Sequence, residues 1–162
     1  MKVIFLDIDG VLNNYQTMAL TPDGYTGINN GLLKRLSMIV KETNARIVLS
    51  STWKSDWDKD ENLCSNDGKY MVKKFKQLNL LIFDKIEDIN DSLSMRGASI
   101  MKYLENHPEV EEWVVIDDDE FDFAKYSDIM DRFVHTDHEK GLTDENVSQA
   151  ISLLSKALEK DL

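Results

Sequence analysis

Two acids stand two residues apart near the amino terminus, in the stretch Lys2-Val-Ile-Phe-Leu-Asp7-Ile-Asp9-Gly10-Val-Leu-Asn13. The apolar run before them is short and rich in β-formers, so it reads as a strand buried on both faces, and Gly10 supplies the turn after it. Two carboxylates at the edge of an apolar core cost free energy unless a cation pairs them. Magnesium, which prefers carboxylate oxygens, is the economical partner. Taken alone, D-x-D-G is as readily an ordinary strand-to-loop boundary, so its meaning depends on what the rest of the chain brings beside it.

Three other stretches bear on that. Arg46-Ile-Val-Leu-Ser50-Ser51-Thr52-Trp53 reads as a second buried strand ending in three hydroxyls. Hydroxyls there are usually caps or turn formers, yet they also suit hydrogen bonding to a phosphoryl oxygen. Trp113-Val-Val-Ile116 runs directly into Asp117-Asp118-Asp119-Glu120. A run of acids is usually a solvated face, but this one is attached to a buried strand tip. Arg96 opens a helical stretch, where a cation opposes the helix dipole. The placement points to an anion beside it, either a bound one or a local acid such as Asp91.

The elements that must position these groups are read from periodicity. Strands are expected at 2–7, 46–49, 80–83 (closing near Ile86), 113–116 and 132–136, the last at an edge. Helices are expected at 30–43, 69–79, 96–105 and roughly 144–160, the last capped by Thr143, with Val147, Ile151, Leu154 and Leu158 facing inward. The stretches 12–29, 54–67 and 87–95 read as irregular, and 121–128 as a short acidic helix or turn. Strands alternating with helices indicate a Rossmann-like three-layer α/β/α sandwich with a mainly parallel five-stranded sheet. Ligands of such sheets bind at the carboxyl ends of the strands, which is where every unusual polar group falls.

Length and composition narrow the class. The 162 residues suit one domain, and a 42% hydrophobic content suffices for a core. The net charge of −11 argues against a general nucleic-acid or membrane surface and against a stable nucleic-acid complex. It allows a phosphorylated substrate held by a metal and one or two local cations. The single cysteine, Cys64, rules out an internal disulfide framework and reads as a buried or loop thiol rather than a nucleophile. The opening run is neither a leader nor a membrane span, so a cytoplasmic location is expected. His135, Asp137 and His138 offer three zinc-type ligands, although neighbouring loop histidines are more often solvated. Trp53, Trp57 and Tyr25 are candidates to stack on a base, weighed against packing in the core or rim.

In these motifs and their order the chain resembles the haloacid dehalogenase (HAD) superfamily of phosphohydrolases. The resemblance rests on Val3 to Leu12, the strand ending at Ser50-Ser51-Thr52, a basic residue before the fourth strand, and Val114-Val-Ile-Asp117-Asp118. It spans residues 3 to about 142. Leu49-Ser-Ser-Thr-Trp-Lys54, with Thr136 and Gly141-Leu-Thr143, is similar to a small subgroup associated with nucleic-acid-end repair polypeptides and stand-alone phage or bacterial proteins. Arg96 fills the third position, commonly lysine, with Lys54 and Lys85 as weaker substitutes.

The resemblance implies a magnesium-dependent phosphatase. Asp7 would be the nucleophile and Asp9 the general acid and base. Asp7, the backbone carbonyl of Asp9, Asp117 and Asp118 would hold the ion. Ser51 would donate to a phosphoryl oxygen with Ser50, Thr52 and Gly10 beside it, and Arg96 would neutralise charge on that group. About 18 irregular residues after the first strand and about nine after the third are too few for the family's large cap. A phosphorylated small molecule or nucleic-acid end is the expected partner. The competing reading is a receiver-like module that accepts a phosphoryl group without hydrolysing it. Such modules carry the accepting aspartate on the middle strand and a lysine at the last, a pattern this chain lacks.

Overall fold

A computed structural model describes residues 1–155. Five strands, β1 (Lys2–Leu6), β2 (Arg46–Leu49), β3 (Ile82–Lys85), β4 (Glu112–Asp117) and β5 (Phe133–His135), form one sheet in the order β3-β2-β1-β4-β5. Every pairing is parallel. The helices are α1 (Asn30–Thr43), α2 (Asn66–Lys76), α3 (Arg96–Asn106), α4 (Ser127–Met130) and α5 (Asp144–Leu154).

Strand periodicity sorts the core into two layers. Ile4 and Leu6 of β1, with Ile47, Leu49, Val114 and Ile116, pack against Leu33, Leu36 and Ile39 of α1, Met71 and Phe75 of α2, and Val147 and Leu154 of α5. Val3 and Phe5, with Val48, Val115 and Phe133, pack against Ile100 and Tyr103 of α3, Phe123 and Ile129. The sheet is therefore covered on both faces, as its near-continuous apolar strands require.

The expected fold class holds, and no separate cap interrupts it among the described residues. Boundaries shift for local reasons. The second helix starts at Asn66, not residue 69, because the Ser65 side chain accepts the Gly68 amide and caps it. β3 begins two residues later than expected, with an irregularity opposite Ile47 and Val48. The stretch after β2 contains two short 3₁₀ turns, Thr52–Asp56 and Glu61–Leu63. Thr143 caps α5 as expected, with Val147 and Leu154 buried. The expected continuation of that helix past 155, with Leu158, lies outside the described residues. No helix among the described residues is long and apolar enough to cross a membrane.

Sheet order places the site. The chain leaves β1 toward β2 and β3, then returns to β1's other side for β4 and β5. The connections thus diverge at the carboxyl end of β1, where a crevice opens between β1 and β4.

Candidate active site

Parallel hydrogen bonding runs one step past the strand ends and aligns the motif residues at one level. The Asp7 amide donates to Ile116 O at 3.0 Å, Ser50 N to Leu6 O at 3.0 Å and Thr136 N to Asp117 O at 2.9 Å. Asp117 continues the alternation of Trp113 and Val115, and Asp7 that of Val3 and Phe5, so both lie on the layer that packs on α3. Arg96, the first residue of α3, reaches them from that side. Its Nη1 donates to Asp117 Oδ2 at 2.8 Å and lies 3.3 Å from Asp7 Oδ1.

Asp7 and Asp117 are buried, and Asp118 is half-buried beside them. Burial, then the charge of Asp117, holds the Asp7 carboxyl well above the usual carboxylate range. Burial raises Asp117 to about 6 although Arg96 pulls it down. For Arg96 burial works against the charge, but Asp117 and Asp7 more than offset it and the guanidinium is held more firmly protonated. The anions are under-compensated: three carboxylates face one guanidinium. Carboxylate oxygens of Asp7, Asp117 and Asp118 lie within 4.8 Å of one another, the one such group of His, Cys, Asp or Glu side chains among the described residues. Three carboxylate oxygens facing a single guanidinium fit a hard divalent cation.

Asp9 stands apart from this group. Its side chain is exposed, and its two oxygens accept from Asn13 Nδ2 at 2.9 Å and Trp53 Nε1 at 3.2 Å. These two donors aim the carboxylate. Neither role was legible in the sequence: Asn13 reads as part of an irregular segment, and Trp53 as a candidate to stack on a base rather than to orient an acid. Asn13 Oδ1 also accepts the Gly10 amide at 2.9 Å, and Thr136 Oγ1 donates to Gly10 O at 2.8 Å. Gly10 has φ +78°, and a Cβ there would lie 2.2 Å from Asp118 Oδ2. Glycine is therefore required for backbone conformation and for the approach of Asp118.

The hydroxyl motif splits in the structure. Ser50 is fully buried and its Oγ has no hydrogen-bond partner among the described residues. Ser51 is also buried; its Oγ accepts the Trp53 amide at 3.1 Å, leaving its own proton for donation. Thr52 lines the open cleft. The helix-end anion that Arg96 pointed to is internal. Besides Asp7 and Asp117, Asp122 accepts the Gly97 and Ala98 amides at 2.6 and 3.1 Å, whereas Asp91 takes no part. The ring of Phe121 lies 4.2 Å from the Arg96 guanidinium carbon.

Both substitute lysines are engaged elsewhere. Lys54 pairs with Asp88 at 3.0 Å, and Lys85 donates to the Lys54 and Trp57 carbonyls. The zinc-type trio is not assembled: His135 contacts Asp118 O, Asp137 accepts the Glu139 amide, and His138 packs on Tyr15. Of the aromatic candidates, Trp57 is buried in the core and Tyr25 is exposed on the cleft.

A search of curated proteins and one of solved structures return no match. A family model described as "HAD domain in Swiss Army Knife RNA repair proteins" matches residues 3–147, which takes in all four motifs. The chain belongs to that family, and with it to the phosphohydrolase-type HAD domains.

Proposed function

We propose that the protein is a magnesium-dependent phosphatase that hydrolyses a phosphomonoester, a nucleotide or a phosphorylated nucleic-acid end, through a phosphorylated Asp7. The observation that carries this reading is the meeting of Asp7, Asp117 and Asp118 around one point, with Arg96 bonded to two of them. The family description, which speaks of RNA repair proteins, agrees with a phosphorylated end as one substrate.

Asp7, Asp117 and Asp118 would hold magnesium, with the Asp9 carbonyl. Held there, the ion would offset repulsion between carboxylate and phosphate and would neutralise charge on the transferring group. Asp7 Oδ attacks phosphorus, the bond from phosphorus to the leaving oxygen breaks, and Asp9 gives that oxygen its proton. In the second half, water attacks phosphorus, Asp9 takes a proton from it, and the bond to Asp7 breaks to release phosphate. Asn13 and Trp53 keep the Asp9 carboxylate in place through both halves. Arg96 donates toward the phosphoryl oxygens from a position fixed by Asp117, and Ser51 has a free O–H for the same purpose.

The test is phosphate release, with and without magnesium, from a generic aryl phosphate, nucleotides, sugar phosphates and phosphorylated oligonucleotides. Asp7→Asn is expected to abolish turnover and the covalent intermediate. Asp9→Asn should slow formation and breakdown of that intermediate by about 10²–10⁴-fold, the usual loss for a missing general acid and base. Full activity in Asp7→Asn refutes the assignment. A wild-type acyl phosphate that persists without releasing phosphate would instead support the receiver-like module.

A further inference from the structure

Asp9 is exposed, yet both of its carboxylate oxygens are held by side chains that are themselves buried, Asn13 at 5% exposure and Trp53 at 7%. An exposed aspartate is otherwise free to change rotamer. Of the two donors, Asn13 does more, because its amide is engaged on every side. Oδ1 accepts the Gly10 amide at 2.9 Å, and Nδ2 donates to Asp9 Oδ1 at 2.9 Å and to Gly27 O at 3.1 Å. A flipped amide would set N–H against N–H at Gly10 and oxygen against two oxygens, so the network fixes which atom is which. Aspartate would only accept, leucine would do neither, and glutamine is a methylene longer.

The bond to Gly10 acts beyond Gly10. The peptide group is planar and trans, so pinning the Gly10 N–H also fixes the direction of the Asp9 carbonyl in the same plane. On the phosphatase reading, which the present inference requires, that carbonyl joins Asp7, Asp117 and Asp118 in holding magnesium, while the carboxylate of the same residue moves the proton. Both groups of Asp9 thus take their direction from one side chain four residues on. Asn13 is steadied in turn, since Gly27 O is a fixed acceptor. The Gly27 amide donates to Ala19 O at 2.8 Å, the Ile28 amide to Tyr70 Oη at 3.1 Å, and the Asp23 amide to Asp67 of α2 at 3.0 Å.

We propose that Asn13 is a positioning residue with two separable effects: through Oδ1 it sets the Asp9 carbonyl for the metal, and through Nδ2 it sets the Asp9 carboxylate for proton transfer to the leaving oxygen. Trp53 serves only the second.

Separate measurements read the two effects. Proton donation matters most for a poor leaving group, and kcat/KM covers the steps up to its departure. It is therefore measured for para-nitrophenyl phosphate and for the alkyl phosphate that the wild type hydrolyses best. Metal binding is measured without substrate, by titrating manganese, which takes the same oxygen donors, and following the free ion by electron paramagnetic resonance. Trp53→Phe is expected to lose roughly tenfold more kcat/KM on the alkyl than on the aryl ester, and to bind manganese no more weakly than the wild type. Asn13→Asp keeps an acceptor for Gly10 and removes the donor to Asp9, so it should behave like Trp53→Phe. Asn13→Ala loses both bonds and should combine that leaving-group dependence with roughly tenfold weaker manganese binding, as happens when an outer partner of a metal ligand is removed. Asn13→Ser, which keeps a polar group in the buried site, replaces it should Asn13→Ala fail to fold. Equal losses on both esters in Trp53→Phe and Asn13→Asp, or wild-type manganese affinity in Asn13→Ala, overturn the assignment while leaving the phosphatase reading standing. A wild type that releases phosphate from no compound, the aryl phosphate included, removes that reading and this one with it.

Discussion

At the scale of single residues, the acids and Gly10 depend on each other. Gly10 carries no functional group, yet it sets how near Asp118 comes to Asp7. In Gly10→Ala the new methyl would sit 2.2 Å from Asp118 Oδ2 in a backbone with φ +78°, so the Asp118 carboxylate must swing away. The left-handed conformation itself costs an alanine about 1 kcal/mol, which is about 2–4 °C in Tm for a chain of this size. Losing one of the three carboxylates proposed to hold magnesium would be the larger effect. The magnesium concentration for half-maximal activity is expected to rise at least roughly tenfold in Gly10→Ala, in line with the sensitivity of metal sites to ligand placement. Titrating activity with magnesium in Gly10→Ala beside Asp118→Asn checks this. Wild-type magnesium dependence in Gly10→Ala would mean that Asp118 does not need its present position.

At the scale of elements, α3 is held at its first turn by the segment after β4. Asp122 accepts two of the helix's free amides and Phe121, with φ +44°, lays its ring against Arg96. A non-glycine residue in that conformation persists only where its surroundings hold it, and such strain gathers at functional sites. Asp122→Ala should cost about 0.5–2 kcal/mol, as cap deletions do. It should also raise KM for the phosphorylated substrate more than it lowers kcat, because Arg96 loses its fixed base. Asp122→Asn, which keeps an acceptor, should recover part of both losses. A Tm drop with unchanged KM would make Asp122 a cap and nothing more.

This helix also shows what the sequence made legible. Asp7, Asp117 and Arg96 could be read because each breaks a local rule: an acid at a buried strand tip, a cation at a helix amino terminus. Asp122, Asn13, Trp53 and Asp67 break none. They are ordinary loop or first-turn residues, and they matter only because tertiary folding brings Asp122 to residue 97, Trp53 to residue 9 and Asp67 to residue 23. The fold class was readable from alternating strands and helices, while the start of α2 depended on a Ser65 cap inside a run with several candidate caps.

At the scale of the whole molecule, the proposed metal site ties stability to pH through its buried acids. A carboxyl group whose folded pKa lies above its unfolded value binds more protons folded than unfolded between the two. Its contribution is thus most favourable below the unfolded pKa and is lost as pH rises through the folded one. For Asp117 that window runs from the unfolded value near 4 up to about 6. For Asp7 it opens at the same lower limit and extends upward. The metal-free protein is therefore expected to lose Tm on going from about pH 5 to about pH 7.5, and Asp7→Asn to lose less. Magnesium competes with these protons, so it should raise Tm more at the higher pH. At a hundred times its Kd a ligand specific for the folded state adds about 2.7 kcal/mol. The net charge of −11 could also attract magnesium loosely over the surface, and a shift of that origin would survive in Asp117→Asn. Thermal melts of the wild type and Asp117→Asn at both pH values, with and without magnesium, separate the two. Equal stabilisation of both proteins at both pH values would place the bound ions on the surface, and Asp7, Asp117 and Asp118 would then have to be stabilised without magnesium.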